Sequence, residues 1–389
     1  MTTSRDTDES YLRQALELAR QGVGLASPNP TVGAVIVDAK GAIVGNGSHT
    51  YDGVKHAEIL AIEQAGEKAR GSTLYINLEP CSHQGRTAPC ADAIIAAGIS
   101  RVVASMQDPN PLVSGQGFAK LRSAGVNVTS GILEGEAKAL NESFAKYIRH
   151  HVPLVTLKAA MTLDGKIAPP PNQSANHSAP GALDSTRTDW ITGESARAHV
   201  QELRHQHDAI LVGVGTVIAD DPLLTDRGGH SRRRPLLRVV LDSRLRLPLE
   251  SRIVKSAASD VLVLCSFAEE RKKKQLLKLG IQVEQLPAAN SGGHLEMAAV
   301  TKFLGQMEIT SLMIEGGAMV NAGALAAGIV DKIFFYYAPR ILGGTTAVPF
   351  ASGAGFATFG DAAHVKSIRL HRFGEDFAVE GYLKDPYGD

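Results

Sequence analysis

Apolar positions in the first third of the chain follow two periods, one helical and one typical of buried strands. Tyr11, Leu12, Ala15 and Leu18 recur at helical spacing and predict a helix over 11–19. By the same criteria we predict a buried strand at 32–37, a helix at 56–69, a strand at 73–78, a short helix at 91–97 and a strand at 101–106. This alternation favours a layered α/β domain with a largely parallel sheet, closing near residue 147.

A second series of apolar runs begins at PLVTLKAAM (153–161) and predicts a second α/β domain. Further strands are predicted at 208–213, 236–242, 260–265, 311–316 and 332–339. The segment 168–187 is rich in Pro, Ser and Asn and predicts a mobile loop inside this domain. Since 389 residues suffice for two domains, we expect one at 1–147 and another at 148–389.

The composition narrows the class of protein. The 40 basic and 40 acidic residues balance, so no bulk charge points to a nucleic-acid partner. The N-terminus is polar and no apolar run is long enough to cross a membrane, from which we expect a cytoplasmic protein. Three cysteines cannot make a disulfide framework; Cys265 in VLVLC fits strand core, which leaves Cys81 and Cys90 for metal or chemistry.

These two cysteines belong to a pattern typical of catalytic zinc. HAE (56–58) is followed by PCSHQGRTAPC (80–90). A catalytic zinc takes three protein ligands and leaves one position for water, which His56, Cys81 and Cys90 would satisfy. Glu58 is then free to move protons, as hydrolytic deamination of a nitrogen heterocycle requires.

Alternatives to this hypothesis exist. Zinc deaminases of nucleobases carry H-x-E and P-C-x-x-C, whereas eight residues separate Cys81 from Cys90 here. A loop of that length also suits a structural zinc, and unmetallated thiols are a third reading, although neither gives Glu58 a role. A deaminase acting on nucleic acid would need a basic face and stacking aromatics, yet aromatic residues make up 5% of the chain.

Four segments together resemble the deaminase half of the bifunctional RibD family of riboflavin biosynthesis. They are SPNPTVGAVIV (27–37), HAE (56–58), EPCSHQGRTAPC (79–90) and DPNPLVSGQG (108–117). The resemblance covers nearly all of 10–147, and the long cysteine loop is normal in that family. It implies a cytidine-deaminase-like fold and deamination of a diaminopyrimidinone that carries a phosphoribosylamino group. The substrate contacts that it implies are Asn29, His49, His83, Arg86, Asp108 and Asn110, although turn chemistry alone would explain the last two.

The second half lacks both the G-x-G-x-x-G fingerprint and a Walker A sequence. Two glycine-rich turns, at 213–216 and 315–323, each follow a predicted strand and could bring backbone amides to a pyrophosphate. Taken alone, either turn fits a tight connection equally well.

Segments at 157–167, 190–193, 204–227, 239–243, 314–317 and 338–344 resemble the reductase half of the same family. The resemblance implies a fold like dihydrofolate reductase, NADPH as cofactor, reduction of a ribosyl group to ribityl, and a homo-oligomer, either dimer or tetramer. The implied NADPH contacts are Ala160, Trp190, Thr216, Asp220, Ser243 and Gly317 to Gly323. The implied substrate contacts are Thr188, Arg204, Leu224, Arg227 and Glu315.

Lys158 is the residue of the second half for which we predict a catalytic role. It lies in a predicted strand just before the sequence MTLDGK, where an ammonium group could orient or protonate an opened sugar. A lysine exposed at the end of a strand is the alternative.

Overall fold

In the computed structural model of the chain, the structure describes residues 4–84, 88–170, 190–289 and 293–388. The chain forms two compact units. One comprises Met1–His151 with Ser231–Arg234, and the other Val152–His230 with Pro235–Gly388.

The first unit is built from short helices and strands that alternate along the chain. Its helices are α1 (Ser4–Arg20), α2 (Ala57–Ala65), α3 (Cys90–Ala96), α4 (Gln116–Ser123) and α5 (Glu134–His150), with a 3-10 helix at Gly66–Ala69. Its strands are β1 (Gly33–Val37), β2 (Ile43–Ser48), β3 (Thr73–Leu78), β4 (Arg101–Met106) and β5 (Asn127–Ser130).

The sheet of this unit has the order β2-β1-β3-β4-β5. β1 runs antiparallel to both β2 and β3, while β3, β4 and β5 are parallel. The expectation of a largely parallel sheet is therefore wrong for half of the strand pairs. The reason is β2, which the apolar pattern does not reveal because glycine occupies two of its positions. A Cβ atom at Gly45 or Gly47 would lie 2.1 or 2.3 Å from a backbone oxygen of α2, so these glycines let the helix lie directly on the strand.

The core of this unit lies between the sheet and its helices. Leu12 and Ala15 of α1 are fully buried and pack with Val35, Tyr75 and Val103 of the sheet. Burial of each leucine-sized side chain contributes roughly 1.5–3 kcal/mol to the stability of the folded unit. This packing holds the helices on the sheet that carries the loops described below.

The second unit is larger and begins with a long strand. Its helices are α6 (Glu194–His205), α7 (Val214–Asp220), α8 (Arg252–Lys255), α9 (Glu270–Lys278), α10 (Met297–Gln306) and α11 (Ala318–Ala326). Its strands are β6 (Leu154–Thr162), β7 (Lys166–Ala168), β8 (Ala209–Gly213), β9 (Leu237–Leu241), β10 (Val261–Cys265), β11 (Gln282–Gln285), β12 (Ser311–Ile314), β13 (Lys332–Ala338), β14 (Val348–Pro349), β15 (Lys366–Phe373) and β16 (Asp376–Tyr382).

Nine of these strands form one sheet in the order β11-β10-β9-β8-β12-β6-β13-β16-β15. The pairs from β11 to β13 are parallel, and the last two pairs are antiparallel. Buried apolar clusters cover both faces of the parallel part of this sheet. This agrees with the continuous apolar runs of its strands, which are typical of strands buried on both faces. Because the strands are parallel, the residues that follow β8, β9 and β12 meet at one edge of the sheet, where ligands of α/β proteins bind.

Two further expectations concern loops and membranes. The predicted mobile loop at 168–187 lies almost wholly outside the described residues, which resume at Trp190. In the part of the chain that is described, no helix has both the length and the apolar character that a membrane span needs.

Candidate active sites

The structure brings the three predicted metal ligands together. His56 precedes the first residue of α2, Cys90 is the first residue of α3, and Cys81 lies in the loop after β3. The ligand atoms of the three side chains lie within 4.8 Å of one another. His56 Nδ1 is 3.2 Å from Cys90 Sγ and 3.6 Å from Cys81 Sγ.

This geometry fits zinc. With Zn–S near 2.3 Å and Zn–N near 2.0–2.1 Å, tetrahedral angles place a bound nitrogen and sulfur about 3.5 Å apart. The two observed N···S distances lie on either side of that value. One imidazole and two thiols also make up the donor set of a catalytic site that keeps its fourth position open.

The surroundings of Cys81 favour its thiolate form. The Cys90 backbone N–H, at the start of α3, donates a hydrogen bond to Cys81 Sγ at 3.3 Å. The hydrogen bond from the Cys90 thiol lowers the pKa of Cys81 to about 4, with His56 acting in the same direction. The same contact and burial raise the pKa of Cys90, and a divalent cation bound by the two sulfurs would favour the thiolate of both.

Glu58 lies in the first turn of α2, with 3% of its surface exposed. Burial and the neighbouring Cys81 together raise the pKa of its carboxyl to about 7, against the opposing effects of His56 and of the hydrogen bond with Cys90. A carboxyl group in this position can both accept and release a proton near neutral pH.

Asn29 and His49, both predicted substrate contacts, are paired beside the metal ligands. Asn29 Nδ2 is 3.0 Å from His49 Nε2, and His49 Nδ1 is 3.0 Å from the carbonyl oxygen of Lys55. Since that carbonyl can only accept, Nδ1 carries the proton and Nε2 accepts from the Asn29 amide. The imidazoles of His49 and His56 meet edge to face at 5.2 Å, which places the pair next to the zinc ligands.

Two buried asparagines that sequence reasoning missed fix the loop that carries Asn29. Asn141 of α5 accepts hydrogen bonds from the backbone N–H and the hydroxyl of Thr31 and donates to its carbonyl oxygen. Asn77 of β3 donates to the same carbonyl and accepts from Gly33. A polar residue inside the apolar run TLYINL was the available signal for Asn77, because a buried amide needs partners.

The remaining predicted contacts of this site differ in how the structure places them. Asp108 is 8% exposed, and burial raises its pKa to about 7, with Glu79, Cys81 and Glu58 adding to the effect. Asn110 accepts a hydrogen bond from Leu112, and Asp108 accepts one from Asn110, so the turn chemistry offered as an alternative is present in both. His83 is exposed on the cysteine loop, and Arg86 lies outside the described residues.

In the second unit, Lys158, Arg204 and Glu315 form one buried cluster. Glu315 accepts hydrogen bonds from Arg204 Nε at 2.8 Å and Nη2 at 3.1 Å, and from Lys158 Nζ at 3.4 Å. The side chain of Lys158 is 12% exposed and lies in the middle of β6, so the alternative of a lysine exposed at the strand end is wrong. Arg204 also donates to the carbonyl oxygen of Thr225 at 3.0 Å.

The two cations hold the pKa of Glu315 at about 2 against the opposing effect of burial, with Arg204 the stronger of the two. The cluster therefore carries one negative and two positive charges. A net positive site of this kind suits a phosphorylated ligand. Leu224 and Arg227, on the same stretch as Thr225, flank it: Leu224 is 5% exposed and adopts φ +56°, and the backbone N–H of Arg227 donates to Gln201 of α6.

Two of the predicted NADPH residues, Thr216 and Gly317, lie at the carboxyl edge of the parallel strands. Thr216 lies in α7 directly after β8, and Gly317 immediately precedes α11 after β12. A Cβ atom at Gly317 would lie 3.3 Å from Thr216 Oγ1, so the two helix N-termini approach each other closely. Gly323, which we expected in a turn, lies inside α11.

The other predicted cofactor contacts lie on several segments of the second unit. Ala160 is near the end of β6, Asp220 ends α7, and the Ser243 carbonyl accepts hydrogen bonds from Ser266 and Phe267. Trp190 is 51% exposed, and Arg197 lies 5.2 Å from the centre of its ring. Thr188 lies outside the described residues.

Comparisons with known proteins match both halves of the chain. The model of the RibD C-terminal domain matches residues 153–379, and that of the cytidine and deoxycytidylate deaminase zinc-binding region matches 5–106. The riboflavin biosynthesis protein RibD of Bacillus amyloliquefaciens is 40% identical over 379 residues, covering 97% of each chain. That of Escherichia coli is 39% identical, covering 96% of this chain and 98% of the relative.

Solved structures lead to the same family. Form 1 of Acinetobacter baumannii RibD is 34% identical with a TM-score of 0.79 and covers 97% of this chain and 99% of that one. A Thermotoga maritima protein is 34% identical with a TM-score of 0.80, and the match covers 98% of this chain and 99% of that one. It is described as a diaminohydroxyphosphoribosylaminopyrimidine deaminase and 5-amino-6-(5-phosphoribosylamino)uracil reductase. The chain belongs to the RibD family and is a bifunctional, zinc-dependent deaminase and NADPH-dependent reductase of riboflavin biosynthesis.

Proposed function

We propose that the first unit deaminates 2,5-diamino-6-(5-phosphoribosylamino)pyrimidin-4(3H)-one and that the second reduces the ribosyl side chain of the product to ribityl. The observation that carries the first step is the convergence of His56, Cys81 and Cys90 within 4.8 Å, beside the buried carboxyl of Glu58. The description of the similar Thermotoga maritima protein as a diaminohydroxyphosphoribosylaminopyrimidine deaminase supports this substrate.

In the deaminase site, zinc held by His56, Cys81 and Cys90 would supply a Lewis acid that makes water a nucleophile near neutral pH. Glu58 would take one proton of the attacking water and pass it to the ring nitrogen, and would then pass the second proton, from the new hydroxyl, to the amino group, which departs as ammonia and leaves a carbonyl. Its burial supports this role, because the carboxyl is shielded from bulk water and lies beside Cys90.

Recognition of the pyrimidine would come from the polar groups around the zinc ligands. Asn29, which pairs with His49, and Asp108, which lies close enough to Cys81 and Glu58 to feel their charges, would supply an amide and a carboxyl group to ring donors and acceptors. We assign Arg86 and His83, on the cysteine loop, to the phosphate end of the substrate, since guanidinium and imidazole groups pair with phosphate oxygens.

In the reductase site, bound NADPH would supply the hydride for the carbon of the opened sugar. Lys158 would donate a proton or hydrogen bond to the sugar oxygen, and Glu315 would hold its ammonium group in place at 3.4 Å. Arg204 and Arg227 would face the substrate phosphate. The paired N-termini of α7 and α11 would receive the pyrophosphate of the cofactor, since free backbone N–H groups there favour anions.

The test uses the full-length protein loaded with zinc. We expect the diaminopyrimidine ribotide to release ammonia first, and NADPH oxidation to follow only after deamination. Lys158→Met should abolish NADPH oxidation and leave ammonia release unchanged. If metal-loaded protein gives neither signal, the zinc is structural and the proposal fails.

We also propose a homo-oligomer in which a second copy covers β15, the edge strand of the nine-stranded sheet. Its Ile368 and Leu370 are 58% and 73% exposed, and an exposed edge strand that carries apolar side chains can pair with another copy of itself. Leu370→Glu should lower the mass measured by light scattering to that of one chain. An unchanged mass would place the contact elsewhere.

The reducing cytoplasm is the compartment that we propose. Cys81, Cys90 and Cys265 are all free thiols, and two of them must remain reduced to bind zinc.

A further inference from the structure

Glu79 is a buried carboxylate that the reaction described above does not use. It follows β3 and lies two residues before Cys81, with 3% of its surface exposed. Among the described residues, its partners are not cations but three backbone N–H groups. A carboxylate that accepts several such bonds is satisfied without an ion pair.

These three bonds close one loop. Glu79 Oε2 accepts from Asp108 at 3.1 Å and from Gly115 at 2.9 Å, so a single oxygen holds both ends of the loop 108–115. Oε1 accepts from Phe118 at 3.1 Å, which ties the first turn of α4 to the same carboxylate. The loop carries Asp108 and Asn110, the predicted substrate contacts.

Neighbouring glycines make room for this arrangement. A Cβ atom at Gly117 would lie 2.0 Å from the carbonyl oxygen of Pro80 and 3.1 Å from Glu79 Oε1. Gly115 adopts φ +84°, a conformation that residues with side chains rarely take. The sequence SGQG thus lets α4 approach the segment that leads into Cys81.

We propose that Glu79 is a positioning residue for the deaminase substrate, because it fixes the Asp108 loop at a set distance from the zinc ligand Cys81. The inference rests on the proposed function of that site. Its consequence is that the distance between the substrate contact at Asp108 and the metal depends on one buried carboxylate shared by the two segments.

The test is the KM and kcat of ammonia release for Glu79→Gln, with zinc content measured in the same sample. The glutamine amide retains one acceptor oxygen but presents an NH2 group to backbone donors, so part of the loop is released. We expect KM to rise at least tenfold, kcat to change less than threefold, and zinc content and NADPH oxidation of the deaminated intermediate to stay at wild-type values. Glu63→Gln, the same exchange at a carboxylate whose side chain is 51% exposed, is the matched control.

A second variant separates positioning from folding. Glu79→Asp keeps the charge and shortens the side chain by one methylene, and it should raise KM in the same sense. In a protein that already carries Asp108→Asn, Glu79→Gln should raise KM by less than a further threefold. The reason is that both substitutions weaken the same contact, that between Asp108 and the substrate.

Three results would overturn the inference: an unchanged KM in an active protein, additive effects of the two substitutions, or loss of zinc in both Glu79 variants. If the wild-type protein itself releases no ammonia, it is the proposed function that fails.

Discussion

Replacing Glu315 with glutamine removes the negative charge that pairs with both Lys158 and Arg204. The substitution conserves shape, but the amide NH2 must face a donor, because both oxygens of Glu315 now accept from cations. The two positive charges, whose side chains are 12% and 10% exposed, lose their common partner.

Two routes give the size of the effect. Breaking a buried ion pair by removing one partner costs about 3–5 kcal/mol. The shift in the pKa of Glu315 from 4.5 to about 2 corresponds to about 3 kcal/mol of stability from its ionised form. For a unit of this size, that loss lowers the melting temperature by about 6–20 °C.

The pH dependence of this loss has a definite sign. The pKa of Glu315 is lowered in the folded state, so its contribution is present above pH 4.5 and is lost as the pH falls towards 2. Since Glu315→Gln has no such charge to lose, the difference in stability between wild type and variant should shrink by roughly 2 kcal/mol between pH 7 and pH 3.

The assay follows urea unfolding by the fluorescence of Trp190, the single tryptophan, which lies in the second unit and therefore reports on that unit. Glu308→Gln, at an exposed carboxylate of the same unit, serves as the control. Equal midpoints for wild type and Glu315→Gln at pH 7, or a difference that does not change between pH 7 and pH 3, would refute the reasoning.

Three further predictions concern the two sites. Removal of zinc with a chelator should abolish ammonia release and leave NADPH oxidation of the deaminated intermediate intact; loss of both would contradict a zinc role confined to His56, Cys81 and Cys90. NADPH should quench Trp190 fluorescence in a saturable way, and a reductase that is active without quenching would remove Trp190 from the cofactor site. Asn141→Ala should remove the acceptor of the Thr31 backbone N–H and hydroxyl, at a cost of about 1–3 kcal/mol, and raise the KM of ammonia release; unchanged deaminase kinetics would show that the loop does not depend on it.

The deaminase site was accessible to sequence reasoning because its metal ligands lie in short motifs tied to helix starts. His56 directly precedes α2 and Cys90 begins α3, so the pattern of apolar and capping positions also located the ligands. The strands β3 and β4 coincide with the predicted runs, since both are almost wholly buried.

The features that sequence reasoning missed depend on contacts distant in sequence or on weak patterns. β2 contains glycines where an apolar alternation would be expected, and β15 is largely exposed. Lys158 and Glu315 are 157 residues apart, and only the parallel register of β6 with β12, in which Leu157 pairs with Ile314, brings them together. Family resemblance named Glu315, and the position of Lys158 in a predicted strand before MTLDGK named the lysine, but spacing alone could not have paired them.

Glu79 shows a different limit of prediction from the sequence. Its place in the motif EPC was visible, yet its partners are backbone N–H groups, which carry no signature of their own in a sequence. A glutamate that precedes a metal-binding cysteine therefore has no recognisable partner until the loop 108–115 is located in space.

The central claim, that Glu58 moves protons beside a catalytic zinc, is tested most directly by Glu58→Gln in zinc-loaded protein. We expect one zinc per chain, NADPH oxidation of the deaminated intermediate at the wild-type rate, and ammonia release reduced by about 10²–10⁴-fold, the usual contribution of general acid–base catalysis. Ammonia release within tenfold of wild type, with zinc fully bound, would contradict the account.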